Sequence, residues 1–372
     1  MNSPRCFALL LALALVGPAA AAPDGFIWLD VSVKFVVDPA TGQAPAGTDD
    51  ANLRQVFDLM NRWLSNTWRG YRLRLVDLDS NQHFPRIGGL NDVTGPSKWY
   101  TADLKNDSPS TVNYAFEAAA KAAPVTYAWN STAANIYINN GTWSRANFPS
   151  SGHELVISSF DLISNDAAPE NYRTHNYKIA GNLLHEMGHF FELYHTFPDD
   201  GIADTAPDNN IGSRDETAIR NSLAQSNWAL NYAALTPAQK AQVDNTANNA
   251  MSYYQLFYDD PAQNKTLTDA ERFGPSRFLF TELQMDKWCD NANLQRAQVA
   301  SGKVVFVDRA VVTSGAGTSA APVKTLATAV TSASASGRDI LLLRPGTYTA
   351  AVLSKPLTIR ATRNGAVQIQ KP

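Results

Sequence analysis

The sequence is poor in charge and nearly without cysteine. Only 17% of its 372 residues are charged and the formal net charge is -3, so it has no basic footprint for a phosphate backbone, and no nucleic-acid partner is expected. Its two cysteines are Cys6 and Cys289. Cys6 lies in a segment read below as removable, which leaves Cys289 alone and excludes an intrachain disulfide in the mature chain. A domain of this length buries enough surface without such staples, and Cys289 is expected in the core as a small hydrophobe. Long apolar runs are scarce as well. The one clear run, Phe7 to Val16, follows Arg5, is broken by Pro18 and leads into the small residues Ala19 to Ala22. This is the layout of a secretory signal peptide, too short and wrongly flanked to span a bilayer. Cleavage is expected near Ala22, and the product is expected outside the cell with no membrane span.

What remains reads as alternating strands and helices. Phe26 to Val37 alternates as a half-buried strand does. Asp49 and Asp50 offer caps for a helix through Leu53, Val56, Phe57, Met60 and Leu64, ended by Gly70, and Tyr71 to Val76 is a second strand. The stretch from Asn81 to Ser110 is polar and turn-rich. Further helices are predicted over Val112 to Ala123, Asn171 to Glu192, Arg214 to Gln225, Pro237 to Asn248 and Thr281 to Val299, with short strands over Asn135 to Ile138 and Leu155 to Ser158. Such alternation predicts an α/β sandwich. At Ser301-Gly302 the composition shifts to short β-rich runs separated by Gly, Ser and Thr clusters. The expected organisation is therefore a removable segment over 1–22, a main domain over 23–300 and a small β-rich domain over 301–372.

The chemistry concentrates in one segment. His185-Glu186-Met187-Gly188-His189 is an HExxH pattern, and on a helix residues four apart lie on one face, so two imidazoles can meet one zinc ion. The adjacent Glu186 points into the same cleft. Zinc lowers the pKa of its water to near neutrality, which makes a carboxylate a strong enough base. Three of the six histidines fall within eleven residues, and His195 follows His189 by six, the spacing of a third ligand in HExxHxxGxxH. Met251 sits in a turn-like NNAMSYY context further on, as packing and not as a ligand, since a thioether is a poor zinc donor beside imidazoles.

HEMGHFFELYHTF, DDGIADTAP, NNAMSYY and FTELQM resemble the pappalysin-like family of the metzincin clan. The resemblance covers about Phe26 to Val299 and is strongest from His185 to Met285. It implies that His185, His189 and His195 bind zinc, that Glu186 is the base, that Met251 forms the turn under the metal and that Tyr253 stands near it. It also implies a secreted endopeptidase acting on a protein or peptide substrate. The fold implied is α+β, a metzincin-like catalytic domain of two subdomains with a mixed twisted sheet, helices and the zinc helix at the cleft, followed by the small β-rich domain. The family usually has glycine where this chain has Glu192. To bring His195 back to His189 the chain must leave the helix sharply, which a left-handed residue does most easily, at a strain of about 1 kcal/mol for glutamate. Glu192 itself is the rival third ligand, although it sits about 10.5 Å up the axis from His185, where a straight helix would struggle to bring its carboxylate within about 2.2 Å of an ion held by both imidazoles.

Other readings stay open at this point. Tyr253 is either an oxyanion donor or a core tyrosine of the turn. Asp199, Asp200, Asp204 and Asp208 are either calcium ligands or a solvated turn. His83, His153 and His175 have no ligand spacing. No latency segment is evident between Ala22 and the first strand. VVFVDRA, PVKTLATAVTSA, DILLLRPGTY and KPLTIRA resemble the start of a right-handed parallel β-helix, for which attachment to a surface or polysaccharide, or substrate positioning, is the expected role. The rival function is a secreted zinc-containing binding or adhesion protein without turnover, for which an intact Glu186 has no use.

Overall fold

A computed structural model describes residues 24–45, 48–88, 98–101, 111–141, 144–159, 172–198, 200–209, 215–254, 268, 279–335, 337–363 and 365–371, with the backbone alone for 111–113, 157–159 and 172–175. The expected signal segment lies outside the described residues. Among them, no helix is long and apolar enough to cross a membrane.

The centre is a mixed sheet. Strands β1 (Ile27–Val36), β2 (Tyr71–Val76), β3 (Arg86–Ile87), β4 (Ala134–Asn139), β5 (Arg145–Ala146) and β6 (Leu155–Ser159) run in the order β2-β1-β4-β6-β5, with β3 also paired to β1. All pairs are parallel except β5 on β6. Alternation in β1 decides its two faces. Ile27, Leu29, Val31, Val33 and Phe35 join the main core with helices α1 (Asp50–Ser65) and α4 (Tyr172–Phe190). Val36 and Tyr137 look the other way, towards α2 (Lys98–Thr101) and α3 (Thr111–Ala122), where Trp99, Phe116 and Ala120 close a second core. Helices thus cover both faces, as a largely parallel sheet requires.

Local chemistry sets the helix ends. Asp49 accepts from the N–H groups of Ala51 and Asn52 and starts α1. That helix stops at Ser65, earlier than the expected end at Gly70. Gly70 instead opens β2 with φ +81°, and a methyl group there would stand 2.5 Å from Ile340. The next helices, α5 (Glu216–Trp228) and α6 (Pro237–Ala247), are capped by Asp215 and Thr236 and share a small core of Ile219, Leu223, Val243 and Tyr254. The last helix of the main body, α7 (Glu282–Leu294), is shorter than the expected Thr281 to Val299 and is followed by a 3-10 turn, Ala297–Val299. The helix yields there because buried Arg296 turns back to donate to the carbonyls of Phe190, Asn147 and His153.

The C-terminal segment has strands β7 (Val304–Val307), β8 (Ile340–Leu343), β9 (Gly346–Thr349), β10 (Thr358–Ala361) and β11 (Val367–Gln370), with helix α8 (Leu326–Ser332) between β7 and β8. They form two parallel sheets, β10-β8-β7 and β11-β9. Val304, Phe306, Ile340 and Leu342 enter the main core, while Val305, Val307, Leu341 and Leu343 pack with α8. Both faces of β7 and β8 are therefore buried, which explains their near-continuous apolar runs.

Candidate active site

Helix α4 is apolar on the side that meets the sheet and α7, where Leu183, Leu184, Met187, Phe190 and Phe191 are buried. His185 and His189 lie one turn apart, as their spacing predicts. Beyond Phe190 the chain reverses. Leu193 N–H donates to Gly188 O and Glu192 N–H to His189 O, both at 2.9 Å, and Glu192 takes φ +68°. This is the paired bonding of a Schellman turn with glutamate in the left-handed position. The reversal brings His195 back, so that its Nε2 is 3.1 Å from that of His185 and 3.2 Å from that of His189, with 3.1 Å between the latter two. Among the described residues these three form the group able to hold a metal ion.

The donors fit one zinc ion. Nitrogen ligands about 2.0–2.1 Å from a tetrahedral ion lie about 3.3 Å from one another, close to the triangle seen here. The tautomers are set from outside. His185 Nδ1 is 2.7 Å from Ala250 O, and His189 Nδ1 is 2.7 Å from Leu193 O. A carbonyl can only accept, so each Nδ1 carries the proton and each Nε2 turns a lone pair inward. Converging lone pairs repel unless a cation lies between them. Burial also pushes the imidazoles towards their neutral, ligating form, that of His185 down to about 4, with the neighbouring histidines adding to the effect at His185 and His189.

Glu186 follows His185 on the same turn of α4. It is buried, and burial raises its pKa to about 8, although a hydrogen bond from the Ala146 backbone and the charge of Arg145 pull the other way. Its Oε2 is buried and has no partner within the protein. Ala146 can serve because β5 is an edge strand. The next N–H, of Asn147, enters the ladder to Leu155 O at 3.1 Å, so that of Ala146 faces outward. Sequence reasoning missed Ala146, as it acts through a backbone group that every residue but proline has.

Met251 is fully buried, and a methyl group added to Gly188 would stand 2.4 Å from its sulfur. The turn thus docks on α4 where the helix has no side chain, and this lets Ala250 O reach His185. Asn249 and Gln284, both fully buried, exchange amide hydrogen bonds of 2.8 and 3.2 Å beneath the turn, and Gln284 also completes the capping box of α7 with Thr281. FTELQM and NNAMSYY are therefore one structural unit. Gln284→Ala is expected to cost about 2–4 kcal/mol, through an unpartnered buried amide and a lost cap. Chemical denaturation checks this, and a loss below about 0.5 kcal/mol would sink it.

Tyr253 is not a core residue. It is 47% exposed, its ring centroid lies 4.8 Å from that of His195, and its phenol pKa is raised by burial and by Glu186 and Asp208. Asp208 accepts from Tyr253 N–H at 3.3 Å, and its own N–H donates to Thr196 O. The acidic loop turns its carboxylates inward. Asp200 takes Ile202 N–H and the Thr205 hydroxyl, and Asp204 takes the Thr281 hydroxyl and Leu283 N–H. Asp199 lies outside the described residues, and the described acids form no metal-holding group. Glu192 stands outside the histidine group too, with both of its oxygens occupied. His83 pairs with exposed Asp79, His153 stacks on Tyr114, and the side chain of His175 is outside the described residues. A groove of about 1020 Å³ between Asp77, His83, Arg86, Trp129 and Asn130 includes none of the three clustered histidines.

No protein-family model matches the chain, and no curated protein matches it. Among solved structures it is similar to mirolysin in complex with compound 9, at 16% identity over 74% of this chain and 96% of that one, with a TM-score of 0.41. It is also similar to Tannerella forsythia mature mirolysin in complex with a cleaved peptide, at 16% identity over the same shares, with a TM-score of 0.40.

Proposed function

We propose that the chain is an exported zinc-dependent endopeptidase. The observation that carries this reading is the convergence of three imidazole Nε2 atoms, 3.1 to 3.2 Å apart, next to a buried glutamate with one free oxygen. His185, His189 and His195 hold the ion, which when bound supplies a Lewis acid and a water of near-neutral pKa. Glu186 takes the proton of the attacking water and returns it to the leaving amine. The Tyr253 phenol, kept protonated by burial and by the Glu186 and Asp208 carboxylates, donates to the oxyanion that develops on the scissile carbonyl.

Export rests on the layout of residues 1–22. Assignment to the pappalysin-like metzincins rests on the four segments that resemble that family, together with a glutamate-for-glycine exchange that keeps the left-handed turn. The C-terminal strands, paired in parallel between successive turns of chain, support the start of a β-helix. Contact with a surface or polysaccharide is its proposed role.

Casein digestion by the purified mature chain tests the activity. Cleavage into peptides is expected, with loss on chelation and return when zinc is restored. A protein that binds one zinc per chain and cleaves neither casein nor gelatin would instead be a binding or adhesion protein.

A further inference from the structure

The exit of α4 is occupied by a residue that its backbone does not favour. Glycine takes the left-handed position of a Schellman turn freely, whereas a side chain there is strained. Yet the side chain of Glu192 is engaged at both ends of its carboxylate. Oε2 accepts Ser150 N–H at 3.0 Å, and Oε1 accepts the Tyr194 hydroxyl at 3.0 Å. These partners belong to separate segments, the 3-10 turn Pro149–Ser151 between β5 and β6 and the loop leading to His195. Phe148 is caught between them. Its ring stacks on Tyr194 with centroids 4.8 Å apart and lies 4.9 Å from the ring of His189. The Lys287 ammonium, 4.5 Å from the Tyr194 ring, balances the charge of Glu192.

We propose that Glu192 is a positioning residue for the metal site, which ties the Pro149–Ser151 turn to the ligand loop and so holds Phe148 against the ring of His189. The hydrogen bond from His189 Nδ1 to Leu193 O fixes one edge of the imidazole but leaves it free to rock about that bond. A packed aromatic ring removes that freedom, and a metal ligand held still loses less entropy on binding. This inference rests on the zinc-site reading and is independent of peptide cleavage.

The test compares wild type, Glu192→Gly and Glu192→Gln for zinc transfer to a chromogenic chelator, for melting of the zinc-free protein, and for kcat and KM on one peptide. Glycine relaxes the backbone, so the zinc-free Glu192→Gly protein is expected to melt no lower than wild type. It is nevertheless expected to bind zinc about 10–100-fold more weakly, the usual effect of losing a residue that orients a ligand. Glutamine keeps the shape and one acceptor oxygen and is expected to fall between the two. Where peptide is cleaved, kcat falls with KM within about twofold, as misplacement and not lost binding requires. Zinc held as tightly by Glu192→Gly as by wild type would overturn the proposal. So would a variant whose weaker zinc binding is matched by a lower melting point of the zinc-free protein, because Glu192 would then only stabilise the fold. A wild type that holds zinc but cleaves nothing removes the peptidase reading and leaves the zinc comparison to decide this one.

Discussion

Glu186→Gln is expected to keep one zinc per chain and to lose about 10²–10⁴-fold in kcat. The amide has the volume of the carboxylate and can still accept the Ala146 N–H, so the cleft keeps its shape. It cannot take a proton from water. The oxygen that has no partner in the wild type is where that proton would arrive, and in the variant this position is an amide oxygen or an amide donor. Peptide hydrolysis measured beside metal content separates the base from the ligands. A rate within about threefold of wild type, with zinc in place, would mean that another group acts as base.

His195→Ala is expected to weaken zinc binding by more than about 100-fold, beyond the usual effect of losing a supporting residue. Two imidazoles on one helix turn leave the ion open on the side that His195 closes, and the Glu192 carboxylate is already occupied by Ser150 and Tyr194. Competition with a chelator measures this, and near wild-type affinity would mean that a different third ligand steps in. Acid is expected to act through the same histidines. Their pKa values are lowered by burial, so in the zinc-free protein the unfolded chain binds protons on them that the folded chain refuses. Stability from this source should be complete above about pH 6.5, the unperturbed histidine value, and should fall on acidification towards about pH 4, the folded value for His185. Denaturation of the zinc-free Glu186→Gln protein across that range checks the sign, because the raised pKa of Glu186 contributes in the opposite direction over the same range. Stability that rises on acidification would show the imidazoles to be charged and unsuited to hold a cation.

Much of this site is local, and local features are legible in a sequence. HExxH placed two imidazoles and a carboxylate on one turn of α4, because the period of a helix leaves no choice once the helix forms. The six-residue step to His195 required a reversal, and the resembled family, with its glycine at the position of Glu192, implied where the left-handed residue would stand. Asp49, Thr236 and Thr281 start their helices where their side chains can reach the first N–H groups. The alternation of β1 turned Ile27, Leu29, Val31, Val33 and Phe35 onto one core.

Other parts existed only once the chain had folded. The expected end of the last helix was too late, because Arg296 leaves it for carbonyls more than a hundred residues away in the chain. The two-residue strands β3 and β5 are too short to show a period, and β5 nevertheless brings the N–H that holds Glu186. Ala250 O and Leu193 O set the tautomers of two of the clustered histidines through groups that any residue offers. Tyr253 could be read as core or as site until the turn was seen to leave its ring exposed beside His195. A sequence reports the periodicity and the chemistry of side chains. It does not report which distant backbone groups will meet, because those groups are the same at nearly every position and only packing brings them together.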